Sequence, residues 1–314
     1  MEERQDAERI TEGFEASPFS YHQGMRMDLE NKKRFCSKRE LYGLMEKGFI
    51  TEHDIELMKV LYEHGYLSQR AASDIIHYDL GILPEHKRRQ YKNSFRKLVK
   101  MGAVHRYLPT WEEEGKIRKG VCIYCLSAGA SFYIGRLYRK DTSYFTYASQ
   151  MLGNFPETML GSVAAGQFHS NVLKFHSREL RKAYINFSFS FRREKCLIPL
   201  RYIFSGEHTE LHLAVLPVRS NEKFKVQAVH FLSSIYMMAK MEGSDFHALV
   251  YVFICENSRH ARRLAEELKA AGYGSVPILY CLDRSLIQED IFGNMFTVEE
   301  GEEGYRIQMP TISV

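Results

Sequence analysis

Residues 86–101 read His-Lys-Arg-Arg-Gln-Tyr-Lys-Asn-Ser-Phe-Arg-Lys-Leu-Val-Lys-Met, with seven basic side chains (Lys87, Arg88, Arg89, Lys92, Arg96, Lys97, Lys100) and no acid. Such a set can neutralise charge, because ammonium and guanidinium groups displace the cations condensed on a nucleic-acid backbone. The whole chain carries a formal charge of only +4, so the sequence outside this stretch is net negative and the basicity is local. Tyr91, Phe95, Leu98 and Val99 recur at i, i+4, i+7 and i+8, which lays one apolar stripe along a helix. Arg89, Asn93, Arg96, Lys97 and Lys100 fall on the opposite face, and Lys92 adds to the basic set. Pro84 precedes the helix and Gly102 stands where a terminating glycine belongs. An apolar back and a cationic front suit a duplex groove, with Arg and Lys on phosphates and Gln90, Asn93 or Arg96 within reach of base edges. A solvated surface face is the plainer use of a charge run, but such faces usually mix signs.

Other residue sets point to chemistry less strongly. Cys122-x-x-Cys125 has the spacing of half a zinc or redox site. It falls in a strand-like stretch, where side chains three apart point to opposite faces, and no second such pair follows. Two buried thiols are the simpler reading. His169 and His176 stand two helical turns apart near Glu179, the spacing of a metal pair or, more simply, of surface or core-edge histidines. Glycines form neither a G-x-G-x-x-G nor a G-K-[ST] motif, and no serine sits in a G-x-S-x-G setting. No cofactor, metal ligand or catalytic residue is therefore expected. The stretch from Gly161 to Gly166 is read as small residues permitting close helix packing, and the alternating Phe187, Phe189 and Phe191 as sheet core rather than base-stacking platforms.

Composition bounds these readings. With 314 residues, 45% of them hydrophobic and 13% aromatic, the chain is long enough for two packed domains. The longest apolar runs, near 213–218 and 248–255, are too short to span a bilayer. The opening MEERQDAERITEGFEAS is charged and lacks an apolar signal core, so a cytoplasmic protein without membrane partners is expected. Six scattered cysteines suit reduced thiols.

The elements that must position the cationic face read as follows. Residues 1–48 form a polar arm whose Lys32, Lys33, Arg34, Lys38 and Arg39 make a second basic cluster. Thr51 with Asp54 resembles a capping box opening an apolar helix that ends at Gly65, and Ser68 is the N-cap of a second helix. Ser68, Gln69 and Arg70 at that helix start are candidate DNA contacts. After the basic helix, Ala103–Pro109 and Gly120–Leu126 read as a hairpin whose tip, 110–119, carries Lys116, Arg118 and Lys119 beside Glu112, Glu113 and Glu114. The lysines and arginine are candidate phosphate contacts, and the acidic run is expected to point away from DNA. Three helices followed by a hairpin is the order of a winged helix-turn-helix, spanning 49–140 once a small helix from Ser127 to Arg139 closes it. Residues 141–156 are the linker candidate. From 157 to 314 the order is a helix (Glu157–Lys182), strands at 184–191, Cys196–Phe204 and Glu210–Val218, a helix (Glu222–Lys240), a buried strand (248–255), a helix to Ala271 and a strand (Val276–Leu282). The final fifteen or so residues read as an edge strand or tail. The fold class expected is α+β, a winged helix-turn-helix followed by an α/β domain with a mixed sheet.

A winged helix followed by an α-β-β-β-α-β domain resembles the replication-relaxation family of Gram-positive plasmids and conjugative elements, over roughly residues 49–271. Carrying the resemblance are Thr51-Glu52-His53-Asp54, the helix end from Tyr91 to Gly102, the helix with His169 and Asn171, and the segment from Leu197 through 222–240. It implies a second domain with a PD-(D/E)xK nuclease fold. Such nucleases hold Mg²⁺ with an acid on the second strand and an acid-x-acid or acid-x-Lys pair on the third. Leu200, Ala214 and Leu216 stand at those places here, and apolar side chains cannot ligate a hard cation. The resemblance thus implies a degenerate, non-catalytic scaffold in a protein of replication control, transfer or transcription regulation. Its partners would be duplex DNA, a second copy as homodimer, and replication or transfer proteins. Two alternatives stay open: a metal-dependent nuclease using displaced carboxylates (Glu194, Glu207, Glu210), and a protein-interaction module built on the winged helix.

Overall fold

Ser37 and Glu40 open the first helix among the described residues, α1 (Lys38–Glu46), by capping each other's backbone N–H, at 3.2 and 2.8 Å. Thr51 and Asp54 do the same for α2 (Glu52–His64), which stops at Gly65 with φ +78. The computed structural model describes residues 17–30, 36–79, 85–138, 156–191, 194–205, 210–221, 223–243, 249–288, 290–301 and 304–308. They divide into two units, His22–Lys174 and Met1–Tyr21 with Phe175–Val314. Both mix helices with sheet, so the chain is α+β. Among the described residues no helix is long and apolar enough to cross a membrane.

In the first unit α2 is followed by β2 (Leu67–Ser68), α3 (Gln69–Asp79) and α4 (Glu85–Met101), the cationic helix. Gly102, at φ +78, turns α4 into β3 (Val104–Glu113). β4 (Lys116–Lys119) and β5 (Ile123–Leu126) pair antiparallel with the far and near halves of β3. β1 (Arg26–Leu29) pairs on the other edge of β3, giving the order β1-β3-β5-β2 with β4 off that path. Two helices complete the unit, α5 (Ala128–Tyr138) and α6 (Pro156–His176).

The expected polar arm supplies β1 and α1, while its cluster at 32–34 lies outside the described residues. The hairpin is longer and tighter than its sequence suggests, because β3 runs on to Glu113 and only Glu114 and Gly115, with φ +52 and +70, form the turn. The expected linker lies outside the described residues except Pro156, which begins α6. α6 groups with the first unit through Lys174 rather than opening the second. Small residues explain this: the Ser162 hydroxyl donates to the His64 carbonyl at 2.8 Å, and a Cβ on Gly166 would stand 2.0 Å from Leu67 Cδ2. α6 ends at His176, six residues before the expected Lys182, because Leu180–Lys182 are claimed by pairing with β7.

The second unit is a five-stranded sheet in the order β10-β9-β8-β7-β6. β6 (Leu180–Phe191), β7 (Glu194–Ser205) and β8 (Glu210–Pro217) form an antiparallel meander. β9 (Leu249–Cys255) and β10 (Ile278–Leu282) continue it in parallel with β8, reached over crossovers α7 (Phe224–Glu242) and α8 (Ser258–Ala270). Phe231, Leu232 and Ile235 of α7 and Leu264 and Leu268 of α8 close a core over Ile198, Ala214, Tyr251 and Phe253. A short helix, α9 (Ser285–Gln288), follows β10, and the C-terminal stretch folds as its own hairpin, β11 (Thr297–Gly301) with β12 (Gly304–Gln308).

Gly166→Val forces Leu67, fully buried, out of place, and should cost about 1–3 kcal/mol, read as a lower melting temperature of the full chain. His169 of α6 and His64 of α2, ring centroids 5.2 Å apart, are both buried. Burial lowers His169 to about 4, and burial with the neighbouring His169 holds His64 well below its ordinary value. Their folded pKa values lie below the unfolded one, so the unfolded chain binds more protons as pH falls through 6.5 toward 4. Stability is therefore complete above about pH 6.5 and declines below it. Denaturant melts at pH 7 and 4.5 should show this loss, and His169→Gln should reduce it.

Candidate nucleic-acid interface

α4 is held by its back. Tyr91, Phe95 and Leu98 are buried, Phe95 packs its ring 4.5 Å from Tyr124 of β5, and the Tyr91 hydroxyl donates to Glu56 of α2 at 3.0 Å. Burial, helped by Glu56, pushes the Tyr91 phenol well up, so it stays a neutral donor. With that stripe fixed inward, Lys92, Asn93, Arg96 and Lys100 are exposed within about 100° of one another around the axis. They span about 12 Å along the helix, enough for more than one phosphate of a strand. Among the described residues no acid forms an ion pair with Lys92, Arg96 or Lys100.

Three sequence-derived candidates have other duties. Lys97 turns toward α2, where its ammonium binds the Asp54 carboxylate, itself fully buried. Burial alone would raise Asp54, but Lys97, the Thr51 backbone and hydroxyl, and Ser94 together hold it below the usual carboxylate range. Ser68 is buried and accepts from the Ala71 backbone N–H at 3.1 Å, so it caps α3 instead of meeting solvent. Arg118 donates to Glu113 at 3.0 Å across the β3–β4 ribbon, so part of the acidic run offsets a base rather than simply pointing away.

The remaining candidates are placed as follows. Arg70 is exposed and lies 3.8 Å from Asp74 one turn on, and Gln69 is half-buried. Lys116 and Lys119 are exposed on β4 with Ile117 between them. The backbone of Arg89 and Gln90 belongs to α4, but their side chains lie outside the described residues. The structure thus gathers Lys92, Asn93, Arg96 and Lys100 on one helix face and sets Lys116, Arg118 and Lys119 on one ribbon of the same unit. Sequence reasoning missed the role of Asp54 as the anchor of α4, and 43 residues of separation from Lys97 leave no local signal for it. It also missed Trp111, whose indole stacks on His22 at 4.1 Å and braces the base of the ribbon.

In the second unit Leu200 and Ala214 are fully buried and Leu216 is half-buried. Exposed Glu210 is bound by Arg181 and lies 3.2 Å from His212. Glu207 and the side chain of Glu194 lie outside the described residues. No group of three or more His, Cys, Asp or Glu side chains among the described residues could hold a metal ion. His176 pairs with Asp290 at 2.7 Å while His169 packs on His64, so those two histidines do not converge. Cys125 is buried in β5, and Cys122, just before it, accepts from Arg106 at 3.3 Å. No known family model, curated protein or solved structure matches the chain.

Removing the Asp54 partner tests the anchor. Lys97→Met leaves a buried carboxylate uncompensated and should destabilise the full chain by about 1–3 kcal/mol, less than for a fully buried pair because Lys97 is a third exposed. The double variant Lys97→Met/Asp54→Asn should recover part of that loss in denaturant unfolding.

Proposed function

We propose that the chain is a non-catalytic duplex-DNA-binding protein of a plasmid or mobile element, acting in replication control, transfer or transcription regulation. The observation that carries this reading is the exposed face of α4, on which, among the described side chains, Lys92, Arg96 and Lys100 stand beside Asn93 with no acid. Support comes from the element order of the first unit, three helices and then a slender hairpin carrying Lys116, Arg118 and Lys119, which is that of a winged helix-turn-helix. In this reading α4 enters the major groove, the lysines and Arg96 hold phosphates, and Asn93 or Arg96 meets base edges. In this reading the β-β-β-α-β run of the second unit, with α6 before it in the chain, is the order of a nuclease-like domain, and its apolar Leu200, Ala214 and Leu216 make it a scaffold that does not cut. Pairing of two copies on an inverted repeat would double the contacts.

Fluorescence anisotropy on a duplex library across a salt series tests the proposal. Binding should weaken steeply with salt, as about 4–8 phosphate contacts would require. Arg96→Ala/Lys100→Ala should lower affinity at least tenfold and flatten the log–log salt slope by about 2. Unchanged affinity in this variant removes α4 from the interface. Nicking of supercoiled plasmid with Mg²⁺ or Mn²⁺, abolished by Glu194→Gln or Glu210→Gln, would instead establish the nuclease.

A further inference from the structure

In the second unit three parallel strands, β8, β9 and β10, end side by side, and each is followed within two residues by a charged side chain: Arg219, Glu256 and Asp283. All three are buried, at 2%, 6% and 0% exposure. Charges at such depth require partners. Arg219 forks onto Asp283, with Nη1 and Nη2 donating at 2.5 and 3.1 Å. Further hydrogen bonds of the three groups reach a segment at least 200 residues earlier in the chain. The Ser17 hydroxyl donates to Asp283 at 2.6 Å, Arg219 Nη1 donates to the Phe19 carbonyl at 3.2 Å, and the Tyr21 N–H donates to Glu256 at 2.9 Å. Glu256 also accepts from the Ser220 N–H at 3.1 Å. Phe19 is buried to 2%, and a turn closed by the Ser20 N–H on the Ser17 carbonyl presents it.

The carboxyl ends of adjacent parallel strands are where open α/β sheets take their ligands. Here that place holds a short peptide read at a hydroxyl, a carbonyl and an N–H, with one aromatic anchor. These are the contacts of a peptide receptor, made by Arg219, Glu256 and Asp283 from three separate strands. Arg219 Nε and His260 Nε2 stay buried without a hydrogen bond beside them, so the resident segment does not exhaust the polar groups.

We propose that Arg219, Glu256 and Asp283 form a peptide-binding site at the carboxyl edge of the second sheet, for a Ser-x-Phe segment whose second residue after the Phe is held by its backbone N–H, and that Ser17–Tyr21 of the chain itself is its displaceable occupant. A second copy of the chain carries the same segment and is the partner the site fits. The proposal stands apart from DNA recognition, because none of its residues belongs to α4 or the β3–β4 ribbon. Cis occupancy sets an effective concentration of the order of millimolar, so the wild-type site is closed to added peptide at lower concentration.

The test uses the full chain and a labelled synthetic peptide covering residues 16–22. Full-length Phe19→Ala loses the anchor of its own segment and should bind the peptide in an anisotropy titration at least tenfold more tightly than wild type does. A peptide carrying the same Phe19→Ala change should fail to bind, which controls for adhesion without altering the protein. A folded Phe19→Ala chain that takes up neither peptide, or both equally, overturns the proposal. Loss of cooperative melting in both Phe19→Ala and the milder Ser17→Ala also overturns it, since the segment would then be integral core rather than a ligand.

Discussion

A buried carboxylate sets the geometry of the first unit. Asp54 caps α2 through Thr51 and, from the same side chain, takes the Lys97 ammonium of α4. A carboxylate without exposure stays charged only because these donors surround it, and the same donors tie two helices together at a fixed rotation. With Lys97 drawn inward and Tyr91, Phe95 and Leu98 beneath it, α4 cannot roll. Lys92, Asn93, Arg96 and Lys100 are then presented together. One cation is used for the frame so that the others face outward.

The ribbon beside it follows from local backbone chemistry. Glu114 and Gly115 both take positive φ, which closes a two-residue turn and lets β3 and β4 run as a thin twisted pair. Trp111 against His22 and β1 along Tyr107–Thr110 stiffen its base, while β4 itself is exposed throughout. The acidic and basic residues of the ribbon partly cancel through Arg118 and Glu113, so the positive charge it presents rests on Lys116 and Lys119 more than on its total charge.

The second unit buries charge differently. Three charged residues, Arg219, Glu256 and Asp283, are buried just past the ends of its parallel strands. Burying Arg219, Asp283 and Glu256 costs solvation that mutual pairing and the hydrogen bonds of Ser17, Phe19 and Tyr21 offset. The N-terminal segment is thereby part of this unit, while the residues that follow it are woven into the sheet of the other.

What the sequence determined is whatever repeats at short range. The stripe at Tyr91, Phe95, Leu98 and Val99, the capping pair Thr51 and Asp54, Gly102 as the end of α4 and the small residues at 161–166 each act within a turn or two of chain, and the elements they announce are present. Tertiary structure alone decided which charges meet: Lys97 with Asp54, Arg118 with Glu113 across a ribbon, Arg219 with Asp283, and Ser17 with a carboxylate 266 residues on. It also moved α6 to the first unit and shortened it, because strand pairing outweighed helical propensity at Leu180–Lys182. The physical reason is range. Periodicity is set by neighbours on one element, whereas the partner of a buried charge depends on which distant element supplies it with donors and removes it from water.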